Sequence, residues 1–223
     1  GIDNIIFISI FTGKLPLQQQ RKARTVGISL ALIVRIILLL AISAIIKMKD
    51  PLFNAFGADF SIRDLILFSG GIFLLVKTTS EIHANVEGED ENHVKGKTDT
   101  FFNIIIQIIL IDIVFSFDSI LTAIGLVQEV LIMVVAVIAA MFVMLLFSAP
   151  VSNFVHRHPT VKMLALSFLL MIGTLLVLDA FHVEVPKAYV YFSIAFSFFV
   201  EMLNLRMKKK KELLRKKPES GPV

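Results

Sequence analysis

Asp112-Ile113-Val114-Phe115-Ser116-Phe117-Asp118-Ser119 sets two carboxylates inside an apolar stretch that runs from about Phe101 to Leu126. A run of about 20 apolar residues reads as a transmembrane helix, because a helix rises about 1.5 Å per residue through about 30 Å of hydrocarbon. A charged side chain at that depth costs roughly 2.5 to 3.5 kcal/mol on insertion scales, so Asp112 and Asp118 are candidate functional groups. On a straight helix Asp112, Ser116 and Ser119 share one face at i, i+4 and i+7. Asp118 points about 120° away and lies about 9 Å further along the axis. One small ion does not easily bridge both carboxylates unless the helix unwinds near Phe117 and exposes backbone carbonyls.

The same reading extends in both directions. Of the 223 residues, 56% are hydrophobic, against about 45 to 50% in ordinary soluble domains by a count that includes Gly. Apolar runs follow one another: Ile2 to Phe11, Val26 to Ile46 with Arg35 near its centre, Ile62 to Thr79, Phe101 to Leu126, Val130 to Phe147, Val161 to Leu178 and Ala188 to Leu205. The first is too short to span, and we take it as the second half of a helix whose beginning is missing. Between the runs lie Gly13 to Arg24, Lys47 to Ser61 with its breakers Pro51 and Gly57, the polar linker Asn85 to Thr100, the tight turn at Gly125 and Gln128-Glu129, and Ala149-Pro150 to Thr160. The expected fold is an all-α polytopic membrane bundle of seven spans, the first one partial.

Charge orients this bundle. Net charge is +4, with the basic residues concentrated in alternate loops and in the tail Arg206 to Lys211. The positive-inside bias then puts the N-terminus outside and the C-terminus in the cytoplasm. Such a distribution speaks for a bilayer as partner and against nucleic acid. There is no Cys, which removes disulfides, thiolate ligands and thiol catalysis and leaves oxygen or imidazole for any metal. The chain carries no nucleotide-binding or Walker-type loop and no phosphorylation-type aspartate motif, so it reads as no enzyme and as needing no cofactor.

An internal repeat sharpens the pattern. Ile2-Asp3-Asn4-Ile5-Ile6 matches Phe117-Asp118-Ser119-Ile120-Leu121 in residue class. Asp3 sits on the first span and Asp118 on the fourth, each followed by two more spans of opposite sense, which suggests 3+3 inverted repeats plus one C-terminal helix. The organisation expected is a first repeat over 1–83, a cytoplasmic linker over 84–100, a second repeat over 101–184, and a seventh helix with basic tail over 185–223. Asp3 and Asp118 both fall roughly 15 Å from a span end, near the midplane where inverted-repeat transporters hold substrate. We therefore expect Asp118 to meet Asp3 across the repeat interface and Asp112 to serve an adjoining site or exit path.

Gly1-Ile2-Asp3-Asn4, Phe115-Ser116-Phe117-Asp118-Ser119-Ile120-Leu121-Thr122-Ala123-Ile124-Gly125-Leu126 and Val185-Pro186-Lys187-Ala188-Tyr189-Val190-Tyr191 through Val200-Glu201-Met202-Leu203-Asn204-Leu205 resemble the TerC family over essentially the whole chain. The resemblance is to the short members of bacterial inner membranes, and it implies that location, a place among the LysE-type exporters and export of manganese or calcium. It also implies an upstream Glu, six residues before the first motif Asp, at a position absent here.

The candidate cation ligands are thus Asp3, Asn4, Asp112, Asp118 and Ser119, with Ser116 and Thr122 as secondary polar groups. This all-oxygen set suits Mn²⁺, Ca²⁺ or Mg²⁺ over copper or zinc. Arg35 reads as a counter-ion that steadies the empty site, or else as a competitor that drives the ion's release. Lys77 and Glu81 stand at i, i+4 and could pair. His83, His156, His158 and His182 read as interfacial. The expected function is a secondary transporter exporting a divalent cation, most simply Mn²⁺ with Ca²⁺ as the other candidate, and its candidate partners are a second copy of the chain or other membrane proteins. A non-transporting scaffold in a stress-response or protein-export assembly is the alternative. Intramembrane aspartyl proteolysis lacks its Gly-x-Gly-Asp arrangement.

Overall fold

The structure, a computed structural model, describes residues 2–41, 51–55, 58–87, 100–126, 129–183 and 185–215. Among them are the helices α1 (Ile2–Thr12), α2 (Leu17–Leu40), α3 (Ile62–Glu87), α4 (Phe101–Leu126), α5 (Val130–Arg157), α6 (Pro159–Ala180) and α7 (Lys187–Arg215). Five of these helices are long and apolar enough to cross a membrane: α2, α3, α5, α6 and α7. Helix is the obligatory form there, since hydrocarbon offers no partner for a free N–H or C=O. The chain divides into two compact units, Gly1–Val185 and Pro186–Val223. The second unit contains α7, whose outer surface is rich in Tyr and Phe.

Several boundaries differ from the sequence reading. The segment before α3 is not a plain loop: β1 (Pro51–Ala55) and β2 (Ala58–Ser61) form an antiparallel hairpin, with Phe53 stacked on Phe60 at 5.6 Å. Cross-strand pairing satisfies backbone groups that helix-breaking Pro51 leaves outside a helix. Pro150 does not end α5, which continues to Arg157. The residues beyond Pro150 have tertiary partners as helix, for Ser152 and Val155 are both buried. Such a proline is tolerated where neighbouring helices and hydroxyls re-satisfy the freed groups, and the Ser148 hydroxyl donates to the Leu145 carbonyl at 2.9 Å. Helix α2 begins already at Leu17, behind Pro16 at its N-cap. Helix α4 is continuous through Phe117, without the unwinding considered above.

Within the first unit α1 is the central helix. Ile5, Phe7, Ile8, Ser9, Ile10, Phe11 and Thr12 are all buried, the signature of a helix that is enclosed all round. Its two hydroxyls bond back to their own helix, Ser9 to the Ile5 carbonyl at 2.6 Å and Thr12 to the Ile8 carbonyl at 2.7 Å. Around it α2 packs on α4 and α5, α1 packs on α5, and α3 packs most extensively on α6.

Glycines set the closest approaches. A Cβ on Gly71 would lie 2.9 Å from the Gly173 carbonyl oxygen, and one on Gly173 would lie 3.2 Å from the Leu74 Cβ. The preceding Gly70 does the same toward α4, where an added Cβ would meet Val114 at 2.5 Å. Consecutive helix positions point about 100° apart, so one Gly-Gly pair lets α3 approach two neighbours.

Candidate functional site

Asp112 lies at the junction of α1, α2 and α4 and is 4% exposed. Its Oδ1 accepts from the Asn4 amide Nδ2 at 2.9 Å and from the Arg35 guanidinium Nη2 at 2.5 Å. Its Oδ2 accepts from the Ser116 hydroxyl at 3.1 Å, one turn further along α4. Each partner has a simple origin. Ser116 follows from i, i+4 geometry, Arg35 comes from the middle of α2, and Asn4 comes from the first turn of enclosed α1. The carboxylate and guanidinium offset each other's charge, and removing one partner of such a buried pair typically costs about 3 to 5 kcal/mol. Arg35 Nε is also buried and has no hydrogen-bond partner among the described residues.

Beside this cluster lies a cavity of about 250 Å³ between α2, α4 and α5. Arg35, Ser116, Ser119, Ala123 and Ala136 are among the residues that line it. Ser119 is exposed there and donates its own hydroxyl to the Phe115 carbonyl at 2.8 Å. The structure therefore gathers Asn4, Arg35, Asp112 and Ser116 into direct contact and puts Ser119 on the wall of the adjoining space. The side chains of Asp3, Asp118 and Thr122 lie outside the described residues, although their backbones belong to α1 and α4. The expected meeting of Asp3 with Asp118 thus also lies outside them. Asp112, which the repeat argument assigned to an adjoining site, is the group that Asn4 of α1 reaches.

Residues 1–214 match the model of the integral membrane protein TerC family. The chain belongs to the TerC family. Its relatives include the UPF0053 inner membrane protein YgdQ of Escherichia coli K12, 46% identical over 213 residues that cover 96% of this chain and 90% of that protein. A UPF0053 protein of Haemophilus influenzae is 41% identical over 94% of this chain and 89% of its own length. The UPF0053 inner membrane protein YoaE of Escherichia coli K12 is 48% identical over 92% of this chain, but the match covers only 40% of that longer protein. No solved structure matches significantly.

Other polar residues of this TerC-family chain serve different ends. Glu81 does not pair with Lys77; its buried carboxylate meets the Lys14 ammonium from the turn between α1 and α2. The α1–α2 turn simply lies closer to Glu81 than the i−4 side chain needs to come. Arg24, also buried, donates to the Ser152 hydroxyl at 3.0 Å and ties α2 to the far part of α5. Asp64 carries no sequence expectation, yet it is 2% exposed. Its Oδ2 accepts from the Ser61 N–H at 2.8 Å and from the Ser61 hydroxyl at 2.6 Å, and His182 Nε2 approaches it at 3.3 Å. The signal was available: Ser61-Ile62-Arg63-Asp64 has the reciprocal spacing of a capping box ahead of an apolar run.

The other described histidines have separate partners. His83 faces Glu87 at 3.1 Å, the His158 ring pairs with the Phe154 carbonyl at 2.9 Å, and His156 lies against Gly13. Among the described residues no group of three or more His, Cys, Asp or Glu stands close enough to hold a metal. Asp112 with Asn4 and Ser116 is instead a mixed oxygen and amide set gathered around one charge.

Proposed function

We propose that this TerC-family chain is a secondary transporter that exports a divalent cation, Mn²⁺ or Ca²⁺, across a bacterial inner membrane. The observation that carries this reading is the Asp112 cluster: a carboxylate within an apolar helix, held by Asn4, Arg35 and Ser116 from α1, α2 and α4. A charge kept at that depth in spite of its desolvation cost marks an ion pathway by default. Its donors are hard and contain no sulfur, which favours Mn²⁺, Ca²⁺ or Mg²⁺. The inner-membrane wording carried by the Escherichia coli relatives agrees with the location.

The inverted-repeat arrangement belongs to the same proposal. Exchanging α1 with α4, α2 with α5 and α3 with α6 turns the α1–α5 contact into the α4–α2 contact, and the α3–α4 contact into the α6–α1 contact. The α3–α6 seam maps onto itself, with Gly71 and Gly173 facing each other. These matched contacts support two related halves around Asp112, the setting in which transporters alternate access, while the α1–α2 and α5–α6 contacts have no counterpart of like extent among the described residues. The basic end of α7 and the cationic loops support a cytoplasmic C-terminus and an external N-terminus.

Cation flux in proteoliposomes tests the reading. Asp112→Asn, Asp3→Asn and Asp118→Asn are each expected to reduce Mn²⁺ or Ca²⁺ flux while the protein stays folded. Wild-type flux in all three variants would overturn the site.

A further inference from the structure

We infer that Arg35 is a tethered stand-in for the transported cation: it occupies Asp112 between transport events and must leave before the cation binds there. This rests on the transport reading above and names the residue within it that sets affinity and turnover.

Among the described residues, three of the roughly four acceptor positions of the Asp112 carboxylate are already taken. Oδ1 already holds Arg35 at 2.5 Å and Asn4 at 2.9 Å, and Oδ2 holds Ser116 at 3.1 Å. A divalent ion needs a carboxylate oxygen at about 2.1 to 2.6 Å. It cannot take Oδ1 while a guanidinium sits there, because two positive charges would share one oxygen in a low dielectric. Asn4, now presenting its N–H₂ end, would also have to turn its carbonyl toward the ion.

The surroundings make Arg35 the partner able to leave. Its Nε has no acceptor among the described residues, so among them part of its hydrogen-bonding capacity is unused and departure forfeits less than a fully satisfied fork would. The cavity of about 250 Å³ that Arg35 lines offers room, the Ser116 and Ser119 hydroxyls offer new acceptors, and Ala123 and Ala136 keep the wall low. Exchanging one cation for another also means that the carboxylate is never left bare.

A site that binds only when Arg35 is away has its apparent affinity weakened by the fraction of time that Arg35 is away. If that fraction is about 10% or less, removing Arg35 tightens binding about tenfold or more. A purely structural counter-ion predicts the opposite sign.

The experiment is Mn²⁺ titration of the purified full chain by calorimetry, with Mn²⁺ flux measured in proteoliposomes. Arg35→Gln is expected to bind Mn²⁺ at least about tenfold more tightly and to turn over more slowly. In Arg35→Ala, added guanidinium ion is expected to weaken Mn²⁺ binding back toward wild type in a dose-dependent way. The wild type supplies a readout that needs no variant: saturating Mn²⁺ should raise the modification of Arg35 by phenylglyoxal, followed in its peptide by mass spectrometry. Folded Arg35→Gln with equal or weaker Mn²⁺ binding would overturn the inference, as would phenylglyoxal reactivity unchanged by Mn²⁺. If wild type binds Mn²⁺, Asp112→Asn abolishes binding and Arg35→Gln leaves it unchanged, this inference alone falls. If no form binds Mn²⁺ or Ca²⁺, the transport reading falls and takes the inference with it.

Discussion

Asp64 and Asp112 are both buried carboxylates that face an arginine and a serine, and they are built in opposite ways. Asp64 draws most of its partners from its own neighbourhood, Ser61 three residues back and Arg63 beside it. Among the described residues, only His182 reaches it from another helix end. Asp112 takes Ser116 from its own helix, but Arg35 and Asn4 come from 77 and 108 residues away. Local partners complete a helix start, where a carboxylate is favourable beside free N–H groups. Distant partners hold a charge within an apolar helix, and the helix itself does not need that burial. The first arrangement is a fastening, and the second is the one we propose as a site.

Substitutions can break that contrast. The largest effect is expected at Asp112→Ala, which strands Arg35 without its partner. Thermal unfolding in detergent should show a loss of about 3 to 5 kcal/mol, and flux should disappear. Equal stability to wild type would mean that the pair carries no buried charge. Next comes Asp64→Ala, expected to cost about 1 to 3 kcal/mol through the unsatisfied Ser61 groups, with flux per folded molecule unchanged. A selective loss of flux there would merge the two carboxylates into one functional class.

Gly71→Leu tests whether the α3–α6 seam is independent of both. An added side chain meets the Gly173 carbonyl, and overpacking of this kind costs about 1 to 3 kcal/mol. Unchanged stability would show that the helices separate freely. The smallest and sharpest pair is Ser61→Ala against Ser116→Ala. Each removes one hydroxyl from a buried carboxylate and should cost about 1 kcal/mol. Only Ser116→Ala is expected to change the Mn²⁺ or Ca²⁺ dependence of flux, and equal responses in both would remove the distinction.

The legible part of this molecule was the part governed by local rules. Hydrophobic runs announced the helices, and i, i+4 spacing placed Ser116 with Asp112. Pro150 misled because a proline's effect depends on what its neighbours can satisfy, and Ser152 beyond it is held by Arg24 from α2. Residues 51–61 misled because a hairpin needs two strands to find each other. Asp64 was missed although its capping-box spacing was there to read.

By itself the sequence determined that this chain crosses a membrane, that its ionisable groups at bilayer depth are few, and that sulfur chemistry is absent. Length, hydropathy and residue type suffice for this, because the bilayer imposes the same demand on every helix. Only the tertiary structure decided which groups meet. Asn4, Arg35 and Asp112 come together because α1 is enclosed and the α2–α4 and α1–α5 contacts fix their relative heights. No spacing along the chain encodes that register, since it is set by how three separate helices pack.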